Sequence, residues 1–333
     1  MVFGKISKFL AGAVISFNLA VSPVLAGTSS QLSSSSSIEP IEEKTSKDAL
    51  LELEKTIDER VYNATYFIQA DKLTSASNIE EYIKNNTISE KDMYGELKKE
   101  SIVMLADTHC FSRHRKKMIE IIKNINRENL AVGLETFGTD MQRHIDDYMH
   151  SRISLEKFVS MTRYSERELK KYGYVNLLEF LKESNIKTIG VDMPNFIVKS
   201  TTAEASISVF INQYSGFDFF NRDLATTKAV IGRLNEGEDV AIVIGGIHAR
   251  EDHLPYMIEE ASSKKPAIVF QQPYPIRKST SLAGEYERFK ELGLGKGKAL
   301  KVNGNYKEFY LNIEPDIKEM HEYMKENFIS SQE

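Results

Sequence analysis

The chain has 333 residues, 41% of them hydrophobic and 27% charged, with a formal net charge of -5. That balance suits one large globular domain or two ordinary ones, and it excludes a disordered chain, a coiled coil and a multi-span membrane protein. The acidic excess argues against a nucleic-acid partner, which would require a basic face. A single cysteine, Cys110, rules out an intrachain disulfide framework and every multi-cysteine zinc or iron–sulfur motif.

Residues 1–26 read as a cleaved secretory signal peptide. Lys5 and Lys8 form a positive start, Phe9 to Val21 a short apolar run, and Val24-Leu25-Ala26 a small-residue cleavage pattern. The apolar run is shorter than the roughly 20 residues that cross a bilayer, so no membrane span is expected after cleavage. Cleavage would remove two lysines and no acid, taking the charge from -5 to -7. No cysteine follows the run, which excludes a lipid anchor there and leaves an exported protein, periplasmic or secreted. Residues 27–44 are a Ser-rich linker. The remaining residues, 45–333, read as one α/β domain, with a core at about 101–275 and a helical insertion at about 138–174. Ser46 to Ala70 is amphipathic and helical in pattern, and it packs on or caps that domain.

Five short apolar runs follow: Ile102 to Ala106, Leu130 to Leu134, Lys187 to Val191, Val240 to Ile244 and Ala267 to Phe270. Continuous rather than alternating apolarity suits strands buried on both faces, as in a parallel sheet. Helical spacing lies between them, over Arg113 to Arg127, Val175 to Ser184 and Leu224 to Leu234. The alternation predicts an α/β fold, a mainly parallel β-sheet flanked by helices with a small helical insertion. Glu308 to Ile313 reads as a further strand, and Pro315 to Asn327 as a terminal helix.

Each of four strands runs into polar residues. Asp107 and His109 follow the first, Glu135 the second, Asp192 the third, and Gly245, Gly246 and His248 the fourth. Ligands bind at the carboxyl ends of parallel strands, so these groups are expected to converge. Asp107 either orients His109 or caps the next helix. His114 either lines the crevice or sits solvated at a helix start. Glu135 serves the site or pairs with Arg143 or Arg222. The two glycines let the chain turn sharply before His248, and Arg250 is placed to hold an anion or a carboxylate. His253 is read as a helix cap. Arg222 reaches the crevice, or Asp223 beside it interacts with the dipole of the helix that follows. His144, His150 and His321 read as surface residues. The catalytic candidates are therefore Asp107, His109, Glu135 and His248. The candidates for holding a cofactor are His114, Arg222, Asp223 and Arg250. These groups suit three chemistries: a divalent metal ion, with Asp107, His109, Glu135 and His248 as candidate ligands; acid–base hydrolysis without metal; or a pocket for a bound cofactor.

The ordered set of motifs resembles the ChaN-like haem-binding uptake proteins of the Tiki/erythromycin-esterase superfamily. Ala106-Asp107-Thr108-His109 with His114 is similar to that family's Gly-Glu-x-His and second histidine. Leu134-Glu135-Thr136-Phe137 with Gln142, Val191-Asp192-Met193-Pro194-Asn195, Asn221-Arg222-Asp223, and Gly245 to His248 with Arg250 and Pro255 follow in the family's order. Asp107 replaces the usual Glu, so the carboxylate is one methylene shorter. The resemblance implies an exported haem- or iron-related binding protein whose partner is haem or another small molecule. It also implies a tyrosine ligand for haem, with Tyr164, Tyr172, Tyr174 and Tyr214 as candidates by position. Other branches resemble hydrolases, metal-dependent proteases and esterases among them, that use the same His and Glu positions; this is the alternative function. A third reading is an interaction protein that keeps the fold and has lost the chemistry.

Overall fold

The structure is a computed structural model that describes residues 79–109, 111–162, 164, 166–194, 216–251, 253–271, 282–316 and 318–319. The expected signal peptide, the Ser-rich linker, the helix from Ser46 to Ala70, Cys110, Tyr214 and most of the terminal helix lie outside the described residues. All described residues fall in the larger of two compact units, Leu53–Glu333.

In chain order the elements are α1 (Ile79–Asn86), β1 (Thr87–Ser89), α2 (Glu90–Leu97), β2 (Ile102–Asp107), α3 (Ser112–Ile125) and β3 (Leu130–Gly138). A 3-10 turn over Thr139–Met141 leads into α4 (Gln142–Met149), α5 (Leu155–Val159), α6 (Glu166–Lys171), α7 (Tyr174–Glu183) and β4 (Lys187–Asp192). Then come α8 (Gly216–Asn235), β5 (Asp239–Gly245), α9 (Leu254–Ser262), β6 (Ala267–Phe270), α10 (Leu282–Glu291), β7 (Lys298–Asn303) and β8 (Lys307–Leu311).

The eight strands form one sheet in the order β1-β7-β8-β6-β2-β5-β3-β4. The pairs β8-β6, β6-β2, β2-β5, β5-β3 and β3-β4 are parallel, and β1-β7 and β7-β8 are antiparallel. The expectation of a mainly parallel α/β sheet flanked by helices is thus borne out. The antiparallel edge built by β1 and β7 was not foreseen, because β1 has three residues and β7 carries lysines at Lys298 and Lys301.

Each central strand feeds two cores. Val103 and Leu105 of β2 face one, with Met118, Ile121, Ile122 and Ile125 of α3 and Leu177, Leu178 and Leu181 of α7. Ile102, Met104 and Ala106 face the other, with Val230 of α8, Ile258 of α9 and Phe289 of α10. Because side chains alternate across a strand, an unbroken apolar run fills both layers. Burial of this area is the main stabilising term of the domain.

The strands extend further than their apolar runs. Asp107, Glu135 and Asp192 are inside β2, β3 and β4 rather than beyond them. β3 also carries an irregularity: Leu134 pairs with Gly190 and Gly138 with Asp192, so β3 spends two more residues than β4 over that interval. A bulge of this kind re-aims a side chain, and Glu135 falls within it. Gly190 allows it, since a Cβ there would collide with the Gly138 carbonyl. Gln142 closes the open edge of β4: its Nε2 donates to Thr188 O at 3.0 Å and its Oε1 accepts from Gly190 N at 3.1 Å. Its amide thereby replaces a missing strand.

Candidate active site

Glu135 lies at the centre of the carboxyl edge, with 5% of its surface exposed. One oxygen, Oε2, accepts from the Gly245 N–H at 2.5 Å and stands 3.8 Å from His109 Nε2. The other, Oε1, takes a hydrogen bond from Arg222 Nη2 and lies 3.3 Å from His248 Nε2. Groups from β2, β3, β5 and α8 therefore meet, as the strand ends imply. Burial would raise the carboxyl's proton affinity, but the charges of His248, Arg222 and His109 outweigh it and hold the pKa well below the usual carboxylate range.

Arg222 also donates to Asp192, Nε to Oδ1 at 2.8 Å and Nη2 to Oδ2 at 3.0 Å. Its planar fork spans the two acids. Glu135 thus pairs with Arg222 and at the same time lies among His109 and His248 at the strand ends. Arg222 and Asp223 lie within α8 and do not precede a helix. The partner of Asp223 is His248 rather than a helix end: Oδ1 is 2.5 Å from His248 Nδ1, and Oδ2 is 3.3 Å from His253 Nδ1. Burial opposes ionisation of Asp223, while His248 and His253 lower its pKa. His253 is therefore a partner of the cluster as well as the residue before α9.

On the other side of Glu135, His109 keeps 43% of its side chain exposed. Its Nδ1 is 3.0 Å from Asp107 Oδ1 and 3.3 Å from the Tyr174 hydroxyl. Burial on one flank lowers the imidazole pKa; the Asp107 charge prevails and raises it. Asp107 itself is buried and held as a carboxylate, because Arg115 and His109 outweigh the burial. Arg115 Nη2 approaches Asp107 Oδ2 to 2.8 Å. Arg115 and His109 both stand at ion-pair distance from the carboxylate, and a hydrogen bond with His109 adds to the lowering. Asp107 is thus a partner of His109 and Arg115. His114 is buried and accepts from the Thr108 N–H at Nδ1, 3.1 Å, which places its proton on Nε2. Burial drives its pKa down to about 3. It supports the His109 loop from within. Arg250 lies in the turn after His248 and is joined to none of Asp107, Glu135 or Asp223 by an ion pair among the described residues.

Gly245 has a specific reason. A Cβ there would stand 2.9 Å from His109 Nε2 and 3.4 Å from Glu135 Oε2. The bare backbone lets β5 approach the imidazole and offer its N–H to Glu135.

Arg115 was not singled out from the sequence, although a signal exists. It lies three residues before Met118 and seven before Ile122, on the apolar stripe of α3. A cation on that stripe demands a buried partner. His114 is on the same side, three and seven residues from buried core positions.

Four buried carboxylates, Asp107, Glu135, Asp192 and Asp223, face two buried guanidiniums, Arg115 and Arg222. A divalent ion does not fit this set. Both Glu135 oxygens are committed, a guanidinium adjoins Glu135 and another Asp107, and among the described residues no three acidic, histidine or cysteine groups are arranged to hold a metal. Haem fits in part. Tyr172 and Tyr174 are 4% and 7% exposed, and the Tyr174 phenol is taken by Arg115, so neither offers an iron ligand. Half-exposed His109 does offer one. No described helix is long and apolar enough to cross a membrane.

No curated protein matches the chain. Among solved structures, the haem-bound ChaN of Campylobacter jejuni is similar at 19% identity and a TM-score of 0.43, over 58% of this chain and 90% of that one. An erythromycin esterase mutant in its open conformation is similar at 12% identity and a TM-score of 0.40, over 54% of this chain and 72% of that one. The type III effector HopBA1 is similar at 12% identity and a TM-score of 0.37, over 54% and 81%. Residues 93–213, which include Asp107, His109, Glu135 and Asp192, match the model of the family described as haem-binding uptake, Tiki superfamily, ChaN, the family that the motifs imply.

Proposed function

We propose that the cleft is an acid–base site that hydrolyses an acyl bond, ester or amide, without a metal ion. The observation that carries this reading is the posture of His109: a half-exposed imidazole with Nδ1 held at 3.0 Å from a buried carboxylate and Nε2 at 3.8 Å from Glu135 Oε2. Asp107 can only accept, so the neutral ring carries its proton on Nδ1 and keeps a lone pair on Nε2. That lone pair takes a proton from water as the water attacks the acyl carbon, and the imidazolium returns it to the leaving group. Asp107 stabilises the imidazolium in between. Glu135 holds negative charge on the far side of Nε2, and Arg222, Asp192, His248 and Asp223 fix Glu135 in place. The test is a panel of ester and peptide substrates with metal-stripped protein. Turnover that survives chelation and disappears in His109→Ala supports the reading; turnover unchanged in that variant ends it.

The family match over residues 93–213 favours a second reading, an exported haem-binding protein. His109 would then hold the iron, and the tyrosine implied by the family would come from outside Tyr172 and Tyr174. Haemin titration reads this directly. A Soret shift lost in His109→Ala supports it, and no shift with the full chain removes it.

A further inference from the structure

We propose that Arg115 and Tyr174 are positioning residues that fix the orientation of His109 and the ring nitrogen on which it carries its proton. The proposal rests on the acid–base reading of His109 and adds two residues to it.

Arg115 is fully buried, yet it reaches the chain on both sides of His109. Nη1 donates to the Thr108 carbonyl at 3.1 Å and to the Phe111 carbonyl at 3.0 Å. Nη2 donates to the Tyr174 hydroxyl and faces Asp107 Oδ2 at 2.8 Å. One guanidinium thereby grips the loop, the carboxylate and the phenol that surround a single imidazole. Its plane also stands over the Tyr174 ring, 4.3 Å from the centroid. The Tyr174 hydroxyl completes the ring by standing 3.3 Å from His109 Nδ1.

The approach of α7 to α3 is built for this contact. Gly173, just before α7, has φ +78, a region that favours glycine. A Cβ there would meet Arg115 Cβ at 3.2 Å and Ser112 O at 3.4 Å. A bulkier residue would push Tyr174 away from Arg115. A buried arginine costs several kcal/mol unless it is well paired. A loop clamp alone would need only its two carbonyl contacts. The other two contacts bear on the groups that touch His109 Nδ1.

Nδ1 faces the Asp107 oxygen and the Tyr174 oxygen, which already accepts from Arg115. Burial keeps the phenol protonated, and its side-chain hydrogen bond with Thr136 takes that proton; both oxygens then accept at Nδ1, and the neutral imidazole is held as the Nδ1–H form. Free imidazole side chains carry the proton on either nitrogen, so removal of the phenol oxygen loosens the preference.

The experiment is long-range nitrogen–proton NMR on full-length protein at alkaline pH, with His109 assigned by its loss in His109→Ala. Wild-type protein is expected to show one tautomer pattern for His109. Tyr174→Phe, which keeps the ring and removes the oxygen, is expected to lose that single pattern and show a mixture. Arg115→Gln is expected to do the same; if it does not fold, Tyr174→Phe decides alone. A His109 pattern unchanged in folded Tyr174→Phe overturns the proposal. The readout needs no substrate. A protein without hydrolytic activity whose His109 pattern still responds to Tyr174→Phe loses the catalytic reading and keeps the geometry. An active one whose pattern does not respond keeps the activity and loses the positioning role.

Discussion

Glu135 of β3 and His248 of the turn after β5 face one another at 3.3 Å, Oε1 to Nε2, where two adjacent parallel strands end. That contact joins two histidine–carboxylate pairs into one structure. Asp107 with His109 lies on the Oε2 side of Glu135, and Asp223 with His248 on the Oε1 side. The first pair keeps an exposed imidazole, whereas the second is buried. In the proposed acid–base reading the half-exposed pair acts on the ligand and the buried pair holds Glu135.

Glu135→Gln removes one of two buried carboxylates that Arg222 holds, Glu135 and Asp192. Breaking one side of a buried charge set costs about 3–5 kcal/mol, since Arg222 and Glu135 are 8% and 6% exposed at their side chains. Urea denaturation should show a loss of that size. A loss below about 1 kcal/mol, the range of a surface pair, would mean that Glu135 is not part of the buried set.

Gly245→Ala adds a methyl group 2.9 Å from His109 Nε2. The imidazole must move, and overpacking of this kind costs about 1–3 kcal/mol. Hydrolytic turnover should fall more steeply than stability does. Equal turnover in Gly245→Ala and wild type would show that the position of Nε2 does not matter.

Acid should unfold the protein in two overlapping ranges. His114 is neutral when buried, with its pKa lowered from 6.5 to about 3. A depressed histidine contributes stability above 6.5 that is lost as the pH falls toward about 3. Asp107, Glu135 and Asp223 are also lowered, so their contribution is present above the ordinary carboxylate range and lost below it. His114→Asn keeps an acceptor for the Thr108 N–H and removes the titration. The urea midpoint of that variant should fall less than that of wild type as the pH drops from 6.5. An identical pH profile would contradict the buried neutral state.

Gln142→Ala removes two backbone contacts from the β4 edge and leaves the Gly190 N–H and the Thr188 carbonyl without their partner. The expected cost is about 1–3 kcal/mol, with a greater tendency to associate through the opened edge. Chemical denaturation and light scattering check both. Turnover and haemin binding by the folded fraction should stay at the wild-type level.

The fold class and the meeting of His109, Glu135 and His248 were legible because both follow from strand ends. Apolar runs such as Ile102 to Ala106 mark doubly covered strands, and parallel strands present their ends to one edge. Strand order was not legible, since no short-range pattern says that β2 lies between β5 and β6. The bulge that re-aims Glu135 was also hidden, because it depends on the close approach of Gly138 to Gly190 across two strands. Arg222 and Asp223 were placed before a helix because Gly216 to Asn221 lacks a clear apolar stripe. Arg115 is one of several cations in Arg113 to Lys117. Its place on the stripe with Met118 and Ile122 separates it from the solvated ones.

The most direct measurement is a double-mutant cycle on hydrolytic turnover with metal-stripped protein, using His109→Ala, His248→Ala and the pair together. If both histidines act through Glu135 in one site, the double variant should be hardly slower than His109→Ala alone, a strongly non-additive result. Rate losses that simply multiply, or a His109→Ala rate equal to that of wild type, would contradict a single shared acid–base centre.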